Sequence, residues 1–469
     1  MKISRRSLLA GFPALRTTRA ASQRTNVVMF MTDDHGAWAL GCYGCRDMHT
    51  PNVDRLAAGG ARFTNAFACT PVCSPSRMTY MTGLLPSHHG VQDWLIAEDS
   101  YGPTSHRYLE GHTTYAELLA GAGYTLGLSG KWHMGEDDKA QSGFRYWNTV
   151  PGGGGTYKDP VFVENGERVP IHGYKTDHVG DCAIRFLDQY HRDPFYLLVP
   201  FYAPHTPFNY QPEEYRRYFD HSPFSCFPDL PMNPWQNRGL ANLHGSRDAK
   251  QAYCSLIAGM DHNVGRILQR LEELGVRDNT LVVFTADQGW NAGHHGVWGK
   301  GNGTWPLNMY EQSLRVPLIW NHPGHIRPGL QPAPMVSSYD YFPAILEYLG
   351  VHAPPDPKRV GRSYAPFLRG QTPAWRNRLY FEYEYVRGIR TPNLKYIQRT
   401  KEWPSELYDL EADPGETKNV VNDPAYAAQR NALRADLTRF FARNGAPPIE
   451  EWRSTTTQHL TVYHSVSEK

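Results

Sequence analysis

Ten side chains in this sequence could act together on one small, negatively charged group. Asp33 and Asp34 close one apolar run and Asp287 with Gln288 closes another. A third run ends in Lys131 and His133, and a fourth in His205. Lys300 lies in "GVWGKGNGT", and Arg77 lies in "CSPSR", four residues beyond Cys73. Three carboxylates and an amide offer only oxygen ligands, which suits a hard divalent cation such as Ca²⁺ or Mg²⁺ better than zinc. The lysines, the arginine and the histidines supply positive charge or hydrogen-bond donors. A metal inside a ring of cationic donors fits a tetrahedral oxyanion: sulfate, phosphate or phosphonate. Pro75 and Ser76 suit a first helical turn, which puts Cys73 at a helix N-terminus where backbone N–H groups also favour an anion. Residue types alone leave Cys73 open as a small buried residue, half a disulfide, a metal ligand or the precursor of something more reactive.

A scaffold must deliver these groups to one place. "NVVMFMTDD" (26–34), "YTLGLSGKWH" (124–133), "FYLLVPFYAPH" (195–205) and "TLVVFTADQ" (280–288) are apolar runs of the length and β-branched content of buried strands. Helical patterns lie among them at 52–60, 114–123, 178–190 and 251–275, several ending in glycine. Such alternation predicts an α/β domain with a largely parallel sheet. In open parallel sheets ligands collect at the carboxyl ends of the strands. Asp33 or Asp287 alone could cap a helix, and a lone histidine is usually structural. Four strand ends sending carboxylates, imidazoles and an ammonium to one rim predict an assembled site instead.

The texture changes near residue 350. "VHAPPDPKRVG" reads as a linker, "RLYFEYEYVRGIRTPNLKYIQ" as a hairpin and 424–443 as a helix. The expected organisation is therefore a leader at 1–22, a catalytic domain at 23–350 and a smaller α+β domain at 351–469 with a small antiparallel sheet. "PGGGGT" (151–156) is expected to be a mobile loop.

Composition excludes several classes. The 469 residues are 40% hydrophobic and 20% charged, as in a globular protein, and no run approaches the length of a transmembrane helix. Residues 1–22 hold five basic residues and no acid, leaving 43 basic against 46 acidic residues in the remainder. A near-neutral body argues against nucleic acid as a partner. "SRRSLLAGFPAL" followed by "TRAAS" resembles a twin-arginine export signal, which would place the protein in the periplasm or outside the cell. Seven cysteines, an odd count, leave at least one thiol outside any disulfide. "CYGC" (42–45) has redox or zinc spacing but no second pair, so a structural role is expected.

With these motifs in order, the chain resembles the formylglycine-dependent sulfatases of the alkaline phosphatase superfamily. "CSPSR" matches their C-x-P-S-R maturation signature, and "MTGLLPSHHGV", "TDDH", "GKWH", "APHTPF", "TADQG" and "GVWGK" resemble family motifs, as does "ELYDLEADPGETKNV" near the C-terminus. The resemblance implies an alkaline-phosphatase-like α/β sandwich: a large mixed, mostly parallel sheet flanked by helices, plus the smaller C-terminal domain. It also implies that a separate formylglycine-generating enzyme oxidises Cys73 to an aldehyde. The hydrated aldehyde would carry two hydroxyls on one carbon, one to attack sulfur and one whose deprotonation expels sulfate. Asp33, Asp34, Asp287, Gln288 and an oxygen of the modified Cys73 would bind Ca²⁺, with Mg²⁺ as the alternative. Asp287 would also take the attacking proton, and Arg77 would stabilise the hydrate. Lys131 and Lys300 would clamp sulfate, His205 with Lys300 would protonate the leaving alcohol, and His133 would be the base for sulfate release. Gln288 departs from the asparagine common in the family, which puts the metal geometry in doubt.

The same ring of groups suits a phosphonate monoester or phosphodiester hydrolase, and an unconverted Cys73 would leave a sulfated-glycan-binding protein without turnover. The expected substrate is a sulfated mono- or oligosaccharide. Tyr157, Phe208, Tyr210, Trp298 and Trp305 are candidate walls for a sugar ring, and His35 a rim residue.

Overall fold

Each of the four apolar runs forms a strand because it is apolar along its whole length, and so is stable only with both faces covered. The computed structural model of the protein describes residues 24–400 and 402–451; the leader expected at 1–22 lies outside them. From edge to edge the nine-stranded sheet runs Ala61–Phe63, Leu318–Asn321, Thr280–Ala286, Asn26–Thr32, Phe195–Pro200, Thr125–Gly130, Phe144–Thr149, Val161–Glu164 and Glu167–Pro170. The strands from Thr280–Ala286 to Phe144–Thr149 are mutually parallel, and antiparallel strands finish both edges. This is the mixed, mostly parallel sheet that the sequence predicts.

All seven residues of Asn26–Thr32 are buried. Val28 and Phe30 join the core on one face, while Val27, Met29 and Met31 join the core on the other, as the two-residue period requires. Each such side chain contributes about 1.5–3 kcal/mol on full burial. Helices Pro51–Ala58, Lys175–Tyr190 and Arg247–Glu273 cover the first face; Cys73–Thr82, Tyr115–Gly121 and Ser338–Leu349 cover the second. Thr114 and Ser337 open their helices with reciprocal capping boxes to Glu117 and Asp340.

The expected hairpin forms from Leu379–Tyr383 and Val386–Arg390, and Leu394–Arg399 and Glu406–Asp409 extend it to a four-stranded antiparallel sheet. The small sheet braces the segment that leads into Cys73. Phe67, Cys69 and Val72 share a core with Phe381 and Ile389, Glu382 N donates to Cys69 O at 3.1 Å, and Thr70 Oγ1 donates to Glu382 O at 2.7 Å. Among the described residues, no helix is long and apolar enough to cross a membrane.

Cys45 forms a disulfide with Cys226, not with Cys42, across a sequence separation of 181 residues. The structural role expected for this region holds, with a partner that sequence spacing does not reveal. Closing so long a loop restricts the unfolded chain by on the order of 5 kcal/mol in the chain-entropy account. The other five cysteines are free, and all but Cys42 are buried. Titration with a thiol reagent in denaturant without reductant is therefore expected to count five thiols in chain with unconverted Cys73. A count of seven would mean that the disulfide is absent.

Candidate active site

The parallel register assembles the site. Thr32 lies beside Ala286 on neighbouring strands, so Asp33 and Asp287, the next residues, emerge side by side, and Asp287 N donates to Thr32 O at 3.0 Å. Asp34 follows in a left-handed conformation (φ 63°), its carbonyl held by Tyr253 Oη at 2.9 Å. Lys131 leaves the end of Thr125–Gly130, tied by its N–H to Pro200 O at 2.7 Å. Across from these strand ends stands helix Cys73–Thr82, buried at all ten residues, with Cys73 as its first residue. Arg77 is one turn further on the same face.

Three carboxylates and three cations interlock here, each at most 6% exposed. Lys131 Nζ is 2.5 Å from Asp33 Oδ2, Lys300 Nζ is 2.7 Å from Asp34 Oδ1, and Arg77 Nη2 lies 2.7 Å from Asp287 Oδ2 and 3.4 Å from Asp33 Oδ2. Burial works against charge on Asp33, but Lys131, His205, Lys300 and Arg77 hold its carboxyl well below the usual range. Burial and the Asp33 charge instead push Asp287 up to about 7, against the pull of Arg77. Lys300 is buried, yet Asp34 and its neighbours keep its ammonium well above the ordinary lysine value.

Cys73 sits among these charges. Its Sγ is 2.7 Å from Lys300 Nζ, 3.4 Å from Asp33 Oδ1 and 3.6 Å from Gln288 Nε2. Burial, then Asp33, push the thiol up to about 12 despite the two lysines. At neutral pH the sulfur is thus a protonated thiol, poor both as nucleophile and as metal ligand.

The residues present fit a hard cation. Asp33 and Asp34 cluster with Cys73 and His205, one ligand atom of each within 4.8 Å of the others, and the two carboxylates are the members that suit such an ion; Asp287 is not in that group. Gln288 Nε2 donates to Asp33 Oδ1 at 3.1 Å and Asp34 Oδ1 at 2.7 Å, while Gln288 Oε1 and Asp34 Oδ2 are buried with no hydrogen-bond partner. Two orphaned oxygens beside further carboxylates make a donor set that an oxygen-seeking ion would satisfy. The longer Gln288 side chain keeps its amide within this cluster.

Both histidines face the same pocket, of about 350 Å³, which Asp34, Cys73, Lys131 and Lys300 also line. His133 Nε2 pairs with Leu95 O at 2.8 Å, so the proton sits on Nε2 and the buried, unpartnered Nδ1 carries the lone pair. Burial and Lys131 hold this ring neutral, well below the ordinary histidine value. His205 hydrogen-bonds Thr206 O through Nδ1, which leaves Nε2 facing Asp34 Oδ2 at 3.6 Å. Burial lowers it to about 4.

The glycine run forms part of the wall. Gly152 and Gly153 have φ of 65° and 64°, and a Cβ on Gly153 would lie 2.3 Å from the His133 ring. Lys175 holds this loop, donating to Gly154 O at 3.0 Å and Gly155 O at 3.1 Å over the Tyr202 ring. The expected mobile loop is thus a pinned turn.

The expected aromatic walls are corrected. Tyr157 and Trp298 are fully buried; Tyr157 Oη binds His205 O at 2.9 Å, and Trp298 stacks on Phe227. Phe208 and Tyr210 pack against the core, and Trp305 packs edge-on to Tyr385 and Trp403. His35 is not a rim residue: it is completely buried between Thr32 Oγ1 and Ala39 O, each at 3.1 Å. Trp94 and Trp290 line the pocket instead, and the Trp290 indole N–H is buried without a partner. Trp290 stands two residues beyond Gln288, a proximity that the sequence offered.

Comparison with known proteins agrees with this arrangement. The Sulfatase family profile matches residues 25–351, and that of the N-sulphoglucosamine sulphohydrolase C-terminal region matches residues 293–443. An N-acetylglucosamine-6-O-sulfatase of Bacteroides thetaiotaomicron is 29% identical, over 92% of this chain and 90% of its own. An ulvan-active sulfatase of Formosa agariphila is 28% identical over 90% of this chain and 82% of its own. A protein solved in complex with its substrate D-glucosamine-2-N,6-O-disulfate superposes with a TM-score of 0.78 at 27% identity, covering 92% of this chain and 100% of that one. The chain belongs to the sulfatase family and is a sulfuric ester hydrolase.

Proposed function

We propose that the protein removes sulfate from a sulfated mono- or oligosaccharide after a separate enzyme has converted Cys73 to formylglycine. The pocket carries this reading: about 350 Å³ opens over Cys73, Lys131 and Lys300, room for a sugar ring, with indoles of Trp94 and Trp290 on its wall. Relatives named for N-acetylglucosamine-6-O-sulfate and ulvan, alike over nine-tenths of this chain, support the same class.

In this reading Asp33, Asp34, Asp287 and Gln288 would hold Ca²⁺, or Mg²⁺, which would supply positive charge to the site. The hydrated aldehyde of residue 73 supplies the attacking hydroxyl and a second one whose loss of a proton releases sulfate. Lys131 and Lys300 hold sulfate oxygens, and Arg77, pinned by Asp287 and Asp33, faces residue 73. Asp287 would also take the proton of the attacking hydroxyl, the role that the family resemblance implies for it. His133 Nδ1 accepts a proton because Nε2–H is already committed to Leu95 O. Lys300, held as an ammonium, would protonate the leaving alcohol, while His205, neutral and with Nδ1–H given to Thr206 O, would share that role only after taking a proton on Nε2. The Cys45–Cys226 disulfide supports an oxidising destination, consistent with the leader at 1–22 as an export signal preceding a catalytic region at 23–350 and a C-terminal one at 351–469.

The test is a panel of sulfated mono- and oligosaccharides with free sulfate as readout, beside small aryl sulfates and matched phosphodiesters. At least one saccharide is expected to exceed the others in kcat/KM by about tenfold or more. Faster turnover of every aryl or alkyl sulfate would end the saccharide assignment while leaving the sulfatase one standing. Preference for the phosphodiesters would favour the sister activity.

A further inference from the structure

Helix Ala427–Arg443, strand Leu379–Tyr383 and parts of the 360–378 segment border a second cavity, of about 320 Å³, that shares no lining residue with the catalytic pocket. Five guanidiniums line it, those of Arg362, Arg376, Arg378, Arg439 and Arg443, against two carboxylates. Both carboxylates are already engaged. Asp340 accepts from the N–H groups of Arg362 at 2.7 Å and Ser337 at 2.9 Å; Asp436 pairs with Arg378 and lies 3.9 Å from Arg439. Among the described residues, Arg362, Arg376 and Arg443 form no ion pair with a carboxylate. All but Arg378 are exposed, so solvent screens their mutual repulsion, and the cavity presents a ligand with more cations than carboxylates.

Two of these arginines are also held in place. Arg362 lies 4.2 Å above the Trp375 ring and donates through Nη2 to Arg376 O at 2.8 Å. Arg376 sits 5.3 Å over Tyr380, hydrogen-bonds its hydroxyl, and Tyr380 in turn stacks at 3.6 Å on Phe440. Guanidiniums fixed this way have given up rotamer freedom before any ligand arrives, which lowers the cost of binding. Their planar forks match the oxygens of a sulfate ester two at a time.

We infer that this arginine-lined cavity is a second binding site, which takes sulfate groups of a polysulfated saccharide away from the ester being hydrolysed. The inference deepens the saccharide reading and takes the identity of the ligand from it.

The test uses the full chain with unconverted Cys73, so that binding is read without turnover. Labelled heparin oligosaccharide, its desulfated counterpart and a DNA oligonucleotide of equal length are titrated against the natural sequence and the Arg376→Gln/Arg443→Gln double variant. Heparin affinity is expected to fall about tenfold or more in the variant, with little binding of the desulfated chain and weaker binding of DNA. The converted variant is expected to keep its aryl sulfate kcat/KM, showing that it folds. Unchanged heparin affinity in a folded variant overturns the site. DNA bound as tightly as heparin, and lost equally, overturns the saccharide assignment in favour of a general polyanion surface. If the variant fails to fold, Arg439→Gln, at an exposed arginine, replaces it under the same criteria. A chain that binds heparin through these arginines yet hydrolyses no saccharide would overturn the catalytic reading alone.

Discussion

Cys73→Ser and Cys73→Ala are each expected to lose multiple turnover of sulfate esters by on the order of 10⁴-fold or more, the scale of removing a nucleophile. Alanine has nothing to attack with. Serine is the sharper case: one hydroxyl can accept a sulfuryl group but has no second hydroxyl to expel it, so at most one sulfate per chain is released from substrate and retained. Either variant leaves Lys131 paired with Asp33 and Lys300 with Asp34, so the surroundings stay compensated. The unconverted thiol, held near 12 by burial and Asp33, is expected to be almost as inactive. In active material, the peptide containing residue 73 is expected to be about 18 Da lighter than its cysteine form, the change from thiol to aldehyde. Full multiple turnover by Cys73→Ser would end the mechanism.

Stripping divalent ions is expected to lower kcat by about 10³-fold, with recovery on adding Ca²⁺ and partial recovery with Mg²⁺. Asp34→Asn and Asp287→Asn are expected to give a comparable loss that Ca²⁺ does not restore. The asparagine variants keep the shape of the site and so avoid the cavity that alanine would add; both remove the partner charge of Lys300 or Arg77, so thermal stability is measured on the same samples. Metal content measured on the same samples separates lost binding from lost chemistry. Recovery by Zn²⁺ and not by Ca²⁺ would overturn the oxygen-ligand assignment.

What could be read from the sequence follows from how locally each feature is encoded. Strand Asn26–Thr32 announces itself because both its faces are apolar, and Asp33 is legible as its end. That Asp33 meets Asp287 depends on a register between segments some 250 residues apart, which only the rule for parallel sheets anticipates. Aromatic side chains fared worse. Tyr157 and Trp298 lie near the glycine run and Lys300 in sequence, but nearness along a loop does not fix side-chain direction, and both turn into the core. Trp94 and Trp290 reach the pocket from other loops. Lys175 looks like an ordinary surface lysine opening a helix, and nothing local shows that Gly154 and Gly155 receive its ammonium. The partner of Cys45 was hidden for the same reason: connectivity is a property of the fold, not of spacing.

Every residue of helix Cys73–Thr82 is buried, and helix Ser338–Leu349 packs against it. Under the proposed conversion, the modifying enzyme meets Cys73 most readily before the fold leaves it only 2% exposed. Residue 349 follows residue 73 by 276 positions, so at ribosomal speeds of roughly 5–20 residues per second the cysteine waits on the order of 15–55 s for this helix, and longer for strand Leu379–Tyr383. Under the proposed conversion of Cys73, activation is a contest between two clocks, and a change far from the pocket that hastens folding would lower the fraction of active molecules without touching a catalytic group.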